Sequence, residues 1–302
     1  MTAATGEGED SRLPDDSDLA FYREHGWWVS PPIVSDEELA RVWRGVERHY
    51  AGERDWRLPA PIKPYLDWNP DSEVSLRLND YIVLQNHDVG VLLDNPLIGA
   101  CAARLAGTPR IRLFNSSLIY KPPGVDDAEV TVGWHTDRAY WMTCTSESML
   151  TAWIPLHDCT VESGTLTMLD GSHRWPAEGA IAELRRERNF ITGDPEELDR
   201  RLAAADVTVR GVPMELRRGQ VSFHHCKLFH GSPPNRSDAP RVAVVLHLQD
   251  DANRYRRHID ETGSLYRYNN DLFCRPNAAG EPDYTDPVIC RELWAEPDPG
   301  AT

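Results

Sequence analysis

Lysine is scarce in this sequence, and arginine supplies most of its positive charge. Lys63, Lys121 and Lys227 are the only lysines among 32 basic residues. Aspartate and glutamate number 48, so the formal net charge is −16. An acidic surface repels the phosphates of nucleic acids and of anionic lipids. We therefore expect a small-molecule substrate, with neither a nucleic acid nor a membrane as a partner.

The cysteines form no recognisable metal-binding or disulfide pattern. All six are scattered along the chain without a C-x-x-C pair, which favours free thiols in a reducing compartment. No apolar run approaches the roughly 18 residues that a membrane-spanning helix needs. Residues 1–18 are acidic and polar and lack the apolar segment of a secretory signal. These features predict a cytoplasmic protein.

Signs of a domain boundary are also missing. The sequence has no internal repeat and no linker-like segment, and 302 residues are enough for one large domain. Residues 1–17 are rich in Gly, Ser, Asp and Glu, so we predict a disordered acidic tail there. Residues 18–302 are predicted to form a single domain. Within it, the aromatic-bearing segment 53–90 fits a mobile lid and a packed surface loop equally well.

A helical N-terminal region followed by short strands is what the sequence does contain. Ser35 and Glu38 form a capping-box pattern before apolar residues at helical spacing, which predicts a helix. A second helix is predicted over Pro96–Ala106. The predicted strands cover residues 111–121, 131–138, 148–157, 164–169, 207–209, 214–216, 221–225, 228–229 and 242–248, and a further helix is predicted to begin at Asp194. Short strands with regular turns are typical of a sandwich or barrel. We therefore predict a mainly β domain with flanking helices, of the α+β class.

The segment from Trp134 to Asp137 carries the first chemical signal. If it is extended, the side chains of His135 and Asp137 point to the same face, because strand side chains alternate with period 2. His230 is followed by a Gly-Ser pair and a proline-rich turn, and a sheet could return it to the same point. Two histidines and one carboxylate leave three positions open on an octahedral metal, the arrangement that non-haem iron(II) oxygenases use.

These residues also have purely structural interpretations. Asp137 fits a turn, and His135 fits a hydrogen-bonded core histidine. Arg241 lies on the strand after the third ligand, where its guanidinium could bind a carboxylate through two hydrogen bonds or form a surface salt bridge. The apolar residues that follow Arg241 favour a buried, partnered guanidinium. His224 and His225 are weaker ligand candidates, and we assign them to packing around the site or to hydrogen bonding within the sheet.

Several motifs follow one another in a fixed order between residues 121 and 241. They are Lys121-Pro122-Pro123-Gly124, Trp134-His135-Thr136-Asp137, Thr151-Ala152-Trp153-Ile154-Pro155-Leu156, Glu162-Ser163-Gly164-Thr165-Leu166, Gly171-Ser172-His173, His230-Gly231-Ser232 and Pro240-Arg241. In these motifs and their order, the sequence resembles the phytanoyl-CoA dioxygenase-like family of iron(II)/2-oxoglutarate oxygenases. The resemblance covers about half of the chain well.

The resemblance implies a fold and a set of cofactors. The implied fold is a double-stranded β-helix, the jelly roll of cupin-like proteins, with its core over about residues 110–250. His135, Asp137 and His230 are implied ligands of Fe(II), with 2-oxoglutarate and O2 as co-substrates. The residues implied for 2-oxoglutarate binding are Arg241, Ser232, Trp153 and Asn115.

The resemblance also implies a reaction. We expect a dioxygenase that hydroxylates an unactivated C–H bond of a small natural-product intermediate and releases succinate and CO2. The same oxidant can serve desaturation, epimerisation or oxidative ring closure. Asp137 argues against halogenation, since the halogenases of this family replace the carboxylate ligand with a small residue. A 2-oxoglutarate-independent cupin isomerase and a non-catalytic binding barrel remain as alternatives from other classes.

Substrate contacts are harder to assign from the sequence. The candidates are Arg138, Tyr140, Trp141, Trp134, Arg77, Trp68 and Tyr65. The first three directly follow the predicted ligand strand, where they could reach the mouth of a pocket. Each aromatic candidate also fits core or rim packing, and Arg77 also fits a solvated surface charge.

Overall fold

Two capped helices open the described part of the chain. The computed structural model describes residues 10–63, 66–72, 75–124, 130–176, 178–188, 200–203, 205 and 207–297. Helix α1 (Asp16–His25) begins after Asp15, whose carboxylate accepts the backbone N–H groups of the first turn. Helix α2 (Asp36–Tyr50) begins after Ser35, and Ser35 and Glu38 form the reciprocal capping box that the sequence predicts.

The predicted N-terminal tail is too long. Helix α1 begins at Asp16, inside the segment 1–17, and Leu13 already packs against the hydrophobic core. The prediction of disorder is therefore wrong for the end of that segment, because the capping side chain of Asp15 was not recognised. Residues 1–9 lie outside the described residues.

Two antiparallel sheets form the centre of the fold. The larger sheet contains β1 (Trp27–Val29), β2 (Arg77–Asp80), β3 (Arg110–Lys121), β5 (Leu150–Pro155), β8 (Ser222–His225), β10 (Arg241–Asp250) and β11 (Glu292–Ala295). Its order is β1-β8-β5-β10-β3-β11. Strand β11 pairs with residues 110–112 at the start of β3, and β2 pairs with residues 117–120 near its end. The smaller sheet contains β4 (Val132–His135), β6 (Thr167–Leu169), β7 (Gly211–Pro213) and β9 (His230–Ser232), in the order β4-β9-β6-β7.

Strand β10 shows how the larger sheet separates two cores. Val242, Val244 and Leu246 pack into the cluster that includes helix α2. Ala243 and Val245, on the opposite face, pack with Met168 of the smaller sheet. Because each fully buried Val or Leu stabilises the fold by roughly 1.5–3 kcal/mol, this alternation fixes the face that looks between the sheets. The architecture is the predicted double-stranded β-helix with helices on the outer face of the larger sheet.

The remaining helices are short except for one. They are α3 (Ile82–Gln85), α4 (His87–Gly90), α5 (Pro96–Ala106), α6 (Gly179–Leu184) and α7 (Asn270–Phe273), with 3-10 turns at Val91–Leu93, Asp137–Ala139 and Ser172–Arg174. Helix α5 has the predicted bounds. Among the described residues, no single helix has the length and apolar composition to cross a membrane; the bent pair His87–Leu93 and Pro96–Ala106, at 45°, meets that test by length and composition only.

Some predicted strands are misplaced. Residues 207–209 and 228–229 are not strands, and β7 and β9 begin two or more residues later. Strands β2 and β11 were not predicted, because they are edge strands of four residues without a clear apolar alternation. The predicted helix start at Asp194 lies outside the described residues.

Candidate metal and co-substrate site

Three predicted ligands meet where the smaller sheet faces the larger one. His135 ends β4 and is the register partner of His230, the first residue of β9, and their ring centroids are 4.2 Å apart. Asp137 Oδ1 lies 3.9 Å from His135 Nε2 and 3.6 Å from His230 Nε2. The ligand atoms of all three side chains lie within 4.8 Å of one another, so they could hold one metal ion.

The strand before Asp137 is shorter than predicted, but the side chains of His135 and Asp137 still point to the same side. Strand β4 ends at His135, and Asp137 begins a 3-10 turn. Thr136 between them keeps an extended backbone, with φ −114° and ψ 142°. The alternation of side chains therefore continues for one more residue, and Asp137 still points to the same side as His135.

Both histidines are oriented in the same way. His135 Nδ1 is 2.8 Å from the carbonyl oxygen of Gly133, and His230 Nδ1 is 2.9 Å from that of Leu228. An N–H at Nδ1 that donates to this carbonyl makes Nε2 the unprotonated ring nitrogen, the one that can bind a metal. Burial lowers the pKa of His135 and lowers the pKa of His230 to about 4. Both rings are therefore neutral near pH 7, the form that binds a metal.

The larger sheet holds the carboxylate from the other side. Thr151 Oγ1 donates to Asp137 Oδ2 at 2.5 Å, while His224 Nε2 and His247 Nδ1 lie 3.4 and 3.9 Å from the same oxygen. Burial by itself raises the pKa of Asp137, but His230 first and then His224 and His247 hold that pKa well below its usual range. Asp137 is therefore ionised, with Oδ2 occupied and Oδ1 free for a metal.

Sequence reasoning missed Thr151 and His247. Their strands place them in one row with His224, because His247 pairs with Thr151 across β10 and β5 and Thr151 pairs with His224 across β5 and β8. The only signal in the sequence is a polar residue at an inward position of an otherwise apolar strand. His224 does pack around the site, as predicted, whereas His225 accepts the backbone N–H of Lys227 at 3.1 Å.

A second cluster lies at the paired ends of β3 and β10. Arg241 is opposite Lys121 in the register and is only 1% exposed. Arg241 Nη2 donates to Ser232 Oγ at 3.2 Å, and its guanidinium lies 5.8 Å from the ring centroid of Trp153. The structure thus brings together three of the four residues predicted for co-substrate binding.

Among the described residues, no carboxylate pairs with Arg241, and burial together with the Arg241 charge holds the pKa of Lys121 well below its usual value. Lys121 Nζ donates to the backbone carbonyls of Ser232 and Pro233, at 2.8 and 2.5 Å. Arg241 Nε is buried and has no hydrogen-bond partner among the described residues. Burial lowers the pKa of Arg241 to about 10, so it keeps its charge near pH 7. Because a buried, unpaired donor is costly, the site fits a carboxylate ligand.

Gly231 is the single residue between His230, a proposed metal ligand, and Ser232, which contacts Arg241. It lies between His230 and Ser232 in β9, and a Cβ atom there would come within 2.8 Å of the carbonyl oxygen of Val132. Only glycine lets β4 and β9 approach this closely.

A cavity of about 690 Å³ connects these groups. Tyr140 and Trp141, two of the residues predicted to contact substrate, line it. The Tyr140 ring lies edge-on to His135, with a centroid distance of 6.0 Å. Asn115 also lines the cavity, where its Nδ2 donates to the Tyr268 hydroxyl at 2.8 Å.

Four other candidates are not among the residues that line the cavity, and each has a structural role instead. Arg138 donates to the backbone carbonyls of Trp141 and Cys144. Trp134 packs on the outer cluster around Phe229. The Arg77 guanidinium lies between aromatic rings, 4.3 Å from the centroid of Trp68 and 4.4 Å from that of Tyr120. Tyr65 lies outside the described residues.

Comparisons with known proteins agree with this geometry. The family model described as "Phytanoyl-CoA dioxygenase (PhyH)" matches residues 22–243. The Bos taurus protein "Phytanoyl-CoA dioxygenase, peroxisomal" is 24% identical over 250 residues, which cover 76% of this chain and 67% of that protein.

Two solved structures share the fold. The alpha-ketoglutarate-dependent carbocyclase SnoK from nogalamycin biosynthesis superimposes with a TM-score of 0.62 at 23% identity, over 84% of this chain and 94% of that one. The epimerase SnoN, in complex with Fe3+, alpha ketoglutarate and nogalamycin RO, superimposes with a TM-score of 0.63 at 23% identity, over 92% of this chain and 98% of that one. The shared fold therefore extends over most of the chain.

Proposed function

Since this chain belongs to the phytanoyl-CoA dioxygenase family, we propose that it hydroxylates an unactivated C–H bond of a small natural-product intermediate and releases succinate and CO2. Fe(II) is the cofactor, and 2-oxoglutarate and O2 are the co-substrates. The observation that carries the proposal is the convergence of two neutral imidazoles and one carboxylate on one point, close to a buried arginine with a free donor.

We propose that His135, Asp137 and His230 hold the iron. When bound, the iron would activate O2, the four-electron oxidant, which would take two electrons from 2-oxoglutarate as it becomes succinate and CO2 and two from the substrate. The protein's own contribution is orientation. The two backbone carbonyls at 2.8 and 2.9 Å fix the imidazoles, and Thr151 fixes the carboxylate, so the ligands need not reorganise when the metal binds.

Arg241 and Ser232 are proposed to bind the distal carboxylate of 2-oxoglutarate. The unpaired Nε of Arg241 and its Nη2, which already contacts Ser232, offer two donors to one carboxylate. Lys121 holds the Ser232 backbone by donating to its carbonyl oxygen. The Trp153 ring beside the guanidinium excludes water and strengthens the ion pair. Asn115 belongs to the substrate side, because its amide contacts Asp80 and Tyr268.

The type of oxidation is part of the proposal. A carbocyclase and an epimerase share this fold, so ring closure and epimerisation are alternatives to hydroxylation, and desaturation by the same oxidant is a third. The Asp137 carboxylate, held by Thr151, supports oxygenation over halogenation. A reducing, cytoplasmic setting completes the proposal, and it is supported by six buried cysteines that all remain free.

The test is co-substrate binding followed by turnover. Calorimetric titration of 2-oxoglutarate into the anaerobic Fe(II) protein should show binding in wild type, strongly reduced binding in Arg241→Ala, and none in His230→Ala. In air, wild type should then release succinate slowly without a substrate, and the same assay can screen candidate substrates. Absence of 2-oxoglutarate binding to the wild-type Fe(II) protein would contradict the proposal and favour a cupin isomerase or a binding barrel.

A further inference from the structure

One carboxylate of the cavity has no part in the proposed metal and co-substrate site. Asp80, the last residue of β2, lines the cavity and is 5% exposed. Among the described residues, the only other carboxylate that lines the cavity is Asp137, which is the proposed metal ligand. Asp80 is therefore a charged group in the substrate space without an assigned role.

Neutral donors hold Asp80 in place. Ser117 Oγ donates to Oδ1 at 2.5 Å, and Asn115 Nδ2 donates to Oδ2 at 3.3 Å. Asn115 is itself fixed, because its Oδ1 accepts the backbone N–H of Ser116 at 2.6 Å and its Nδ2 also donates to the Tyr268 hydroxyl. Such a network orients the carboxylate without neutralising its charge.

No cation of the described chain offsets this charge. Burial raises the pKa of Asp80 to about 6, the hydrogen bonds from Ser117 and Asn115 lower it, and the nearby carboxylate of Asp67 raises it again. Asp80 is therefore mostly ionised near pH 7, and within the described residues no Lys or Arg lies at ion-pairing distance. A buried carboxylate without a cationic partner is costly, which indicates that a partner comes from outside the chain.

The backbone beside Asp80 is strained. Tyr81 has φ 58° and is the one non-glycine residue with positive φ in the described part of the chain, a conformation that costs about 1–3 kcal/mol. The fold enforces it: the Tyr81 hydroxyl donates to Asn270 Oδ1 at 2.5 Å, and its backbone N–H donates to the Ser116 carbonyl at 2.5 Å. Strain of this kind concentrates at functional sites.

We propose that Asp80 determines specificity by binding a protonated amine of the substrate. The inference rests on the proposed function, which places the substrate in this cavity. An ammonium group supplies the counter-charge that the chain omits, and its N–H groups reach the lone pairs that Ser117 and Asn115 leave open. Leu78 and Ile119 line the cavity beside Asp80, so the site fits an amine carried on a hydrocarbon frame.

Three probes with one eight-carbon chain test the charge preference. Octylammonium, 1-octanol and octanoate are titrated by calorimetry into the protein loaded with Co(II) and 2-oxoglutarate, near neutral pH. In wild type we expect octylammonium to bind about tenfold more tightly than 1-octanol, with octanoate the weakest. Asp80→Asn should reduce the preference for octylammonium over 1-octanol to within about twofold, because it removes the charge and keeps the shape.

Two control variants separate this role from others. Asp94→Asn removes the same charge from an exposed side chain, 58% accessible, and should leave the preference intact. Asp67→Asn removes the neighbouring carboxylate that raises the pKa of Asp80, so Asp80 keeps its charge, and this variant should also retain the preference. Equal binding of octanoate or 1-octanol in wild type, persistence of the preference in Asp80→Asn, or its loss in either control would overturn the inference.

The titration of 2-oxoglutarate, carried out first, distinguishes the two proposals. If wild type fails to bind 2-oxoglutarate, the proposed function is contradicted. If 2-oxoglutarate binds in wild type and in Asp80→Asn but the amine preference is absent, only the role of Asp80 is contradicted.

Discussion

Two buried charged side chains of the cavity, Arg241 and Asp80, are built in opposite ways on the same sheet. Arg241, on β10, faces Lys121 of β3 and is a buried cation, because its pKa stays at about 10. Asp80, on β2, faces Ser117 of β3 and has only neutral donors around it. The protein leaves both charges without an ionic partner within the described residues. Each unpaired buried charge therefore indicates the charge of the ligand that binds there. We expect a carboxylate at Arg241 and a cation at Asp80.

The largest expected effect is the loss of metal affinity when a proposed ligand is deleted. His230→Ala deletes an imidazole that faces Asp137 at 3.6 Å, so Co(II) affinity, measured by calorimetry, should fall by more than the about 10–100-fold cost of losing an outer hydrogen-bond partner. His225→Ala is the matched control, since this neighbouring histidine bonds a backbone N–H away from the cluster. Unchanged Co(II) affinity in His230→Ala would contradict the ligand assignment.

The next largest effect is the loss of 2-oxoglutarate affinity, with metal affinity retained, when Arg241 is truncated. Arg241→Ala should weaken 2-oxoglutarate binding by about 30-fold or more, because truncating one partner of a buried charge pair costs about 2–5 kcal/mol. Co(II) affinity should change little, since Arg241 does not contact the three ligands. Arg77→Ala removes an arginine stacked on Trp68 and Tyr120 and should leave both affinities unchanged. An equal loss of 2-oxoglutarate binding in Arg77→Ala would place the co-substrate elsewhere.

A smaller effect on metal affinity is expected from the hydrogen bond that the larger sheet donates to Asp137. Thr151→Val keeps the shape but removes the donor to Asp137 Oδ2, so Co(II) affinity should fall by about tenfold. Thr151→Ser should restore most of it, because the hydroxyl returns. If Val and Ser variants bind Co(II) equally, the hydrogen bond does not orient the ligand and Thr151 acts only through packing.

The smallest effect lies outside the cavity. Ser35→Ala removes the side-chain cap of α2 and should lower the free energy of unfolding by about 1 kcal/mol, measured by urea titration of the metal-free protein. Affinities for Co(II) and 2-oxoglutarate should remain those of wild type. A change in either affinity would show that the helical layer influences the distance between the sheets.

The parts of the site that sequence could predict are those with a strong local pattern. His135 and Asp137 are two residues apart on an extended segment, and His230 and Arg241 lie in recognisable motifs. Thr151, His247 and Asp80 could not be found in this way, because their roles depend on which strands become neighbours in the sheets. Arg77 and Trp68 were predicted to touch substrate, but an arginine among aromatic rings stabilises a surface layer just as well.

The fold shows the same limit. The capped helices α2 and α5 were predictable because capping residues act within one turn. Strands β2 and β11 were not, since an edge strand is defined by its partner more than by its own composition. Strand β2 carries Asp80. Because this strand was not predicted, the carboxylate on the substrate side of the cavity was not predicted either.

Strand β9 has only three residues, and each serves a different purpose. His230 faces the metal cluster, Gly231 permits the close approach of β4, and Ser232 contacts Arg241 and accepts from Lys121. A shift of this short strand would therefore move a proposed metal ligand and a proposed co-substrate contact at once. Occupancy of either site restrains the other, so iron and 2-oxoglutarate should bind with a reciprocal coupling free energy, and the protein should reach its reactive state as a unit.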